Sequence, residues 1–136
     1  MEVANHTTTH PKLTEKSASE IRSEYDQTDA KLKSIIGAEP SKLMRLPYLA
    51  CNATVQQTLS DVPLISCAID TSDWNGATKD QIVSKIKTAM SNGSLQTAIV
   101  LCHENYSTTA GAMEGSPPLP QGSGLAGSHH LRDVRR

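Results

Sequence analysis

The sequence predicts an α/β fold with parallel strands and crossover helices. Three observations predict it. Short apolar runs alternate with stretches of helical periodicity. The helical stretches open on capping patterns and close on breakers. The polar, chemically able residues stand just past the C-terminal ends of the apolar runs, where barrel-type α/β proteins build their sites.

The elements follow in order. Residues 6–14 are polar and carry two histidines. A helix follows, opened by the capping box of Ser17 and Glu20, with Ile21, Tyr25, Thr28, Leu32 and Ile35 as its inward face. Gly37 ends it, and Pro40 prevents its return. Residues 44–48 read as a short strand running into a turn at Pro47. Residues 52–59 read as a short helix capped by Asn52. The run 64–69 reads as one strand buried on both faces, leading into Asp70-Thr71-Ser72-Asp73-Trp74. A second long helix is predicted over 79–92, with the capping box Thr78/Gln81 and a buried stripe of Ile82, Val83, Ile86, Ala89 and Met90. Residues 98–102 form another buried strand, which runs into His103-Glu104. After Glu114 the periodicity is lost. The organisation is therefore one domain over 1–114 and an irregular or disordered tail over 115–136.

Composition excludes some functions. Thirteen Lys and Arg against 14 Asp and Glu give no basic surface for nucleic acid or an anionic membrane. No apolar run is long enough to span a bilayer, and the first residues have neither the basic nor the apolar part of a signal peptide. Only 3% of residues are aromatic and Phe is absent, which is poor in large core-filling side chains and hints that part of the domain lies elsewhere. The three cysteines, Cys51, Cys67 and Cys102, form no CxxC pair; they read as buried thiols in or beside strands.

Three features carry chemistry. In His6-Thr7-Thr8-Thr9-His10, two imidazoles four residues apart share a face if the segment is helical or turned, and could bind one metal ion. The pair also reads as ordinary polar loop residues. Asp73 and His103 follow two different strands. A carboxylate beside an imidazole raises its pKa and fixes its tautomer, which suits a general acid. Read singly, Asp73 caps a loop and His103 ends a strand. In Arg45-Leu46-Pro47-Tyr48, the guanidinium can clamp a carboxylate; alone it is a surface Arg in a proline turn.

Taken together and in order, these features resemble the polysaccharide deacetylase family, carbohydrate esterase family four. The family's second motif, His-[Ser/Thr]-x-x-His, matches His6 to His10, with Pro11 after it. Its third, Arg-x-Pro-Tyr, matches Arg45 to Tyr48. Its fourth, Asp-x-x-Asp-Trp, matches Asp70 to Trp74. Its fifth, a strand ending Leu-x-His, matches Leu101-Cys102-His103. The resemblance implies a partial, distorted (β/α) barrel of the polysaccharide deacetylase type, missing its first strands and its last. It implies hydrolysis of N- or O-acetyl groups on a polysaccharide such as acetylxylan, peptidoglycan or chitin, at the cell surface or outside the cell. Zinc or another divalent transition metal is the implied cofactor, held by His6 and His10. His103 resembles the general acid, Asp73 the residue that tunes it, and Arg45 the group that orients the base. The backbone N–H of Tyr48 resembles the oxyanion donor. Trp74 and Leu101, beside Tyr48, resemble the groups that hold the acetyl methyl.

Two departures follow from the same comparison. The family's first motif, Thr-Phe-Asp-Asp-Gly, supplies the base and a third metal ligand, and no Asp-Asp pair stands before His6. This leads us to expect an N-terminally truncated domain whose activity is in doubt, the alternative being an inactive remnant that binds metal or saccharide weakly. Glu104 also stands where the family commonly has Asp. The tail carries a further expectation. A permitted back-translation from Pro118, read one nucleotide later, yields a string that resembles the family's closing helix and strand, as a frameshift would produce.

Overall fold

The structure is a computed structural model and describes residues 2–115 and 125–127. The chain divides into two compact units, one with described residues 2–66 and one with described residues 67–115 and 125–127.

The first unit is built on parallel pairing. Strand β1 (Met44–Arg45) lies beside β2 (Leu64–Ile65), with Met44 opposite Leu64 and Arg45 opposite Ile65. On the other side of β1, Asn5 forms a parallel bridge to Met44. Its N–H donates to Leu43 O at 3.1 Å, and its carbonyl accepts from Arg45 N at 3.1 Å. Helix α1 (Ala18–Ile36) links the bridge to β1, and α2 (Ala53–Thr58) links β1 to β2. Both helices start where their caps predict. Ser17 accepts from Glu20 N while Glu20 accepts from Ser17 N, and Asn52 accepts from Val55 N. Gly37 ends α1 at φ 67°, a left-handed turn that costs glycine little. The core gathers Leu13, Ile21, Tyr25, Met44, Leu46, Val55, Leu59 and Val62, with Leu64 against it.

The inward face predicted for α1 holds for Ile21, Tyr25 and Thr28, which are buried. It fails at its end. Ile35 is 63% exposed, because α1 runs about two turns beyond Thr28, past the last core residue it carries.

The second unit repeats the plan. Strands β3 (Ile69–Asp70), β4 (Val100–Cys102) and β5 (Leu125–Gly127) form one parallel sheet in the order β3-β4-β5. Helix α3 (Lys79–Ser91) connects β3 to β4, and α4 (Ser107–Gly115) lies between β4 and β5 in sequence. The Thr78/Gln81 capping box is formed on both sides. Ile82, Ile86 and Ala112 are buried with Ala77, and Ala89, Leu95 and Val100 make a second small cluster.

Several expectations change here. The run 64–69 is two strands, not one: β2 and β3 belong to different sheets and different units, and Ser66 and Ala68 between them are exposed. None of its six residues is fully buried. Helix α4 was not foreseen; its small and hydroxylated residues give little apolar stripe to read. Within the tail expected to be irregular, residues 125–127 are a strand paired to β4, with Leu101 opposite Ala126; the rest of 116–136 lies outside the described residues. The thiols also differ from expectation. Cys102 is buried in β4 and Cys67 half-buried, but Cys51 is exposed, because it follows the proline turn on the way to α2. No described helix is long and apolar enough to cross a membrane.

Candidate active site

The predicted residues fall into two constellations, one in each unit. In the first, Asn5 is the anchor. It is buried, donates through Nδ2 to Tyr25 O on α1 (2.9 Å), and accepts from Thr7 N at Oδ1 (3.0 Å). The chain then turns sharply. Thr7 has φ 68° and His10 φ 57°, and His10 N donates to Thr7 Oγ1 at 3.1 Å. Left-handed geometry is uncommon outside glycine, and at a β-branched Thr it is held only where surrounding contacts over-determine it. Those contacts come from α1. Glu24 Oε2 accepts from Thr8 N and Thr9 N, each at 2.8 Å, and Thr8 Oγ1 lies 2.8 Å from Thr28 Oγ1.

This turn brings the two imidazoles together. Their ring centroids are 4.9 Å apart, edge to face, and His10 meets the Tyr48 ring at 4.8 Å. His6 Nδ1 lies 2.5 Å from Arg45 O. A carbonyl only accepts, so Nδ1 carries the proton and the lone pair of His6 sits on Nε2. Ligand histidines of metal sites are oriented in this way. Arg45 closes β1 with its side chain buried. Pro47 then starts a 3-10 turn in which Tyr48 and Leu49 both take positive φ, 57° and 53°. For a bulky side chain that geometry is an outlier of the kind concentrated at functional sites. The Tyr48 side chain is 66% exposed.

The second constellation centres on Asp73, whose side chain has no exposed surface. Four donors converge on its carboxylate. Oδ1 accepts from His103 Nδ1 at 2.8 Å and from Trp74 N at 2.8 Å. Oδ2 accepts from His103 N at 2.5 Å and from Thr109 Oγ1 at 2.7 Å. Burial pushes the Asp73 carboxyl up, but the bonds from His103 and Thr109 outweigh it and hold the group below the usual carboxylate range. Asp73 is therefore an anion at neutral pH. His103 Nδ1 must be the donor in this pair, which puts the lone pair of the neutral ring on Nε2. Trp74 is half-exposed at 54%, with its indole N–H directed at the Asp70 carboxylate at 3.2 and 3.3 Å. Leu101 is buried in β4 opposite Asp70, and its carbonyl accepts from both Thr71 N and Thr71 Oγ1.

Sequence reasoning named His6, His10, Arg45 and Tyr48, which share the first unit, and Asp73, Trp74, Leu101 and His103, which share the second. It did not name Thr109, the third residue on Asp73, nor Glu24, the carboxylate under the histidine turn. The signals were slight: a hydroxyl pair, Thr108-Thr109, shortly after His103, and an acidic residue midway along α1.

Comparison with known proteins follows the same lines. The polysaccharide deacetylase family model matches residues 1–65. The chain is 30% identical over 113 residues to a peptidoglycan N-acetylglucosamine deacetylase of Listeria monocytogenes, covering 83% of this chain and 23% of that protein. It is 30% identical over 115 residues to a bifunctional xylanase/xylan deacetylase of Cellvibrio japonicus, covering 82% of this chain and 16% of the relative. Among solved structures, a family 4 carbohydrate esterase from Streptomyces lividans in complex with acetate superposes with a TM-score of 0.70 at 28% identity, over 83% of this chain and 57% of that one. The parallel β/α units share the fold of the (β/α)-barrel carbohydrate esterases on which they superpose, and the described residues make up a partial α/β portion of that fold. The chain belongs to the polysaccharide deacetylase family, carbohydrate esterase family four. It spans less than a quarter of the length of the two curated relatives above.

The donor set fits a divalent cation in part. His6 and His10 are imidazoles held close together, with His6 oriented through its other nitrogen. Among the described residues no group of three His, Cys, Asp or Glu side chains forms a metal site, whereas a catalytic zinc usually has three protein ligands.

Proposed function

We propose that the chain serves metal-assisted hydrolysis of acetyl groups on a polysaccharide. The observation that carries this reading is the Asp73–His103 pair, a buried anion fixing the tautomer of a half-buried imidazole. Such a pair suits protonation of a leaving amine or alcohol by His103 Nε2, with Asp73 stabilising the imidazolium. The Tyr48 N–H, in its left-handed turn, would donate to the developing oxyanion. Arg45 stands where the family's base-orienting arginine does, while the Asp pair that supplies that base does not stand before His6. Trp74 and Leu101 would hold the acetyl methyl. His6 and His10 would hold zinc or another divalent transition metal. The chemistry such an ion supplies when bound is polarisation of the acetyl carbonyl and acidification of water.

Acetylxylan, peptidoglycan and chitin are the substrates this reading favours, met outside the cell or at its surface. Acetate release from acetylated oligosaccharides tests it. The His103→Ala variant is expected to lose about 10²–10⁴-fold in rate, the usual cost of removing a general acid. Unchanged release in that variant would remove His103 from the mechanism.

A second reading is favoured by the two-imidazole donor set. A site with two ligands holds its cation weakly, and the chain would then bind metal or saccharide with little turnover. Zinc titration by calorimetry separates the two: tight 1:1 binding supports the enzyme, weak binding the remnant.

A further inference from the structure

We infer that Glu24 is a positioning residue that sets the shape of the turn between His6 and His10, and through it the affinity of the pair for a divalent cation. The inference rests on the metal reading above. Glu24 is far from the histidines in sequence and belongs to none of the four motifs. It is half-buried on α1, and three donors from two successive residues of the turn end on it. Thr8 N and Thr9 N each reach Oε2 at 2.8 Å, and Thr9 Oγ1 reaches Oε1 at 2.6 Å. The backbone of Glu24 also takes part, accepting from Thr8 Oγ1 at 3.2 Å.

The geometry explains why a side-chain acceptor oxygen is needed at this position. Of the three amides between the histidines, that of Thr7 bonds Asn5 Oδ1, while those of Thr8 and Thr9 point toward α1 and, both being donors, cannot bond to each other. The turn enters and leaves through left-handed residues, Thr7 and His10. One oxygen of the Glu24 side chain satisfies both amides at once. Without it, the strained backbone at Thr7 and His10 loses the contact that offsets its cost, and the His10 ring is no longer held 4.9 Å from His6. Glu24 thus acts on the cation through Thr8 and Thr9 and does not itself ligate it.

Zinc affinity of the full chain tests this, measured by calorimetry on the unaltered protein and on Glu24→Ala, Glu24→Gln and Thr9→Val. Amide exchange at Thr8 and Thr9 and a thermal melt are read on the same samples. Glu24→Ala should weaken zinc about 10–100-fold, the range for partners that orient metal ligands, and should speed exchange at both amides. Glu24→Gln keeps an acceptor oxygen without the charge, and should stay near the unaltered affinity. Thr9→Val should weaken zinc by less than Glu24→Ala. If Glu24→Ala does not fold, the Glu24→Gln and Thr9→Val results decide. A Glu24→Gln loss as large as that of Glu24→Ala, or as large as the 10–100-fold expected if Glu24→Ala does not fold, would mean bulk charge, not positioning, and overturn the inference. So would unchanged zinc affinity in Thr9→Val together with folded Glu24→Ala, or in Thr9→Val alone if Glu24→Ala does not fold. Absence of zinc binding by the unaltered chain would instead overturn the metal reading itself.

Discussion

Asp73 shows how one buried residue can be tied to both stability and chemistry. Its carboxylate is stable as an anion only because His103, Trp74 and Thr109 supply four donors. The folded group titrates below its usual range, and the unfolded one near 3.9. The folded state therefore binds fewer protons in this interval, so the stabilisation is complete above about pH 4 and is lost as pH falls through the lower folded value. Denaturant melts between pH 5 and 2 should show this loss in the unaltered chain and a smaller one in Asp73→Asn. Thr109→Val should cost about 1.5–3 kcal/mol at pH 7, the range for a hydrogen bond to a charged group, and equal stability of the two proteins would contradict the geometry. Asp73 and His103 were legible because each sits in a short motif past a strand. Thr109 was not, because its partner is 36 residues away and no local pattern marks the contact.

At the scale of elements, what was legible is what is local. Both long helices begin at their capping boxes, since the bonds of a box lie within four residues of sequence. Ser17→Ala should therefore lower stability by about 1 kcal/mol, read from a denaturant midpoint. The apolar run 64–69 was misread for the opposite reason. Where a strand ends depends on which neighbour it pairs with: Leu64 and Ile65 pair with β1, whereas Ile69 and Asp70 pair with β4. Hydropathy cannot separate one buried strand from two half-buried ones. Ile35 was misread similarly, because helical periodicity continues after the core beneath it has ended.

For the whole molecule, the two units have distinct cores. Ile21 is fully buried in the first and Ile86 almost so in the second. Ile21→Ala and Ile86→Ala should each cost about 2–5 kcal/mol, with amide protection falling first in the unit that carries the change. Membership of the polysaccharide deacetylase family was legible because four motifs occur in order, and order is a stronger constraint than any single motif. The strand at 125–127 was not legible, since Leu-Ala-Gly is too short and too plain to carry a period.

The proposed function assigns His6 and His10 to a divalent cation and His103 to proton transfer in acetyl hydrolysis. Acetate release from acetylated xylo- and chito-oligosaccharides, measured with zinc and again with a chelator, tests it most directly when run beside His10→Ala and His103→Ala. The expected result is zinc-dependent release that the chelator abolishes and that each substitution lowers by at least about a hundredfold. Release that survives the chelator, or that neither substitution lowers, would contradict it.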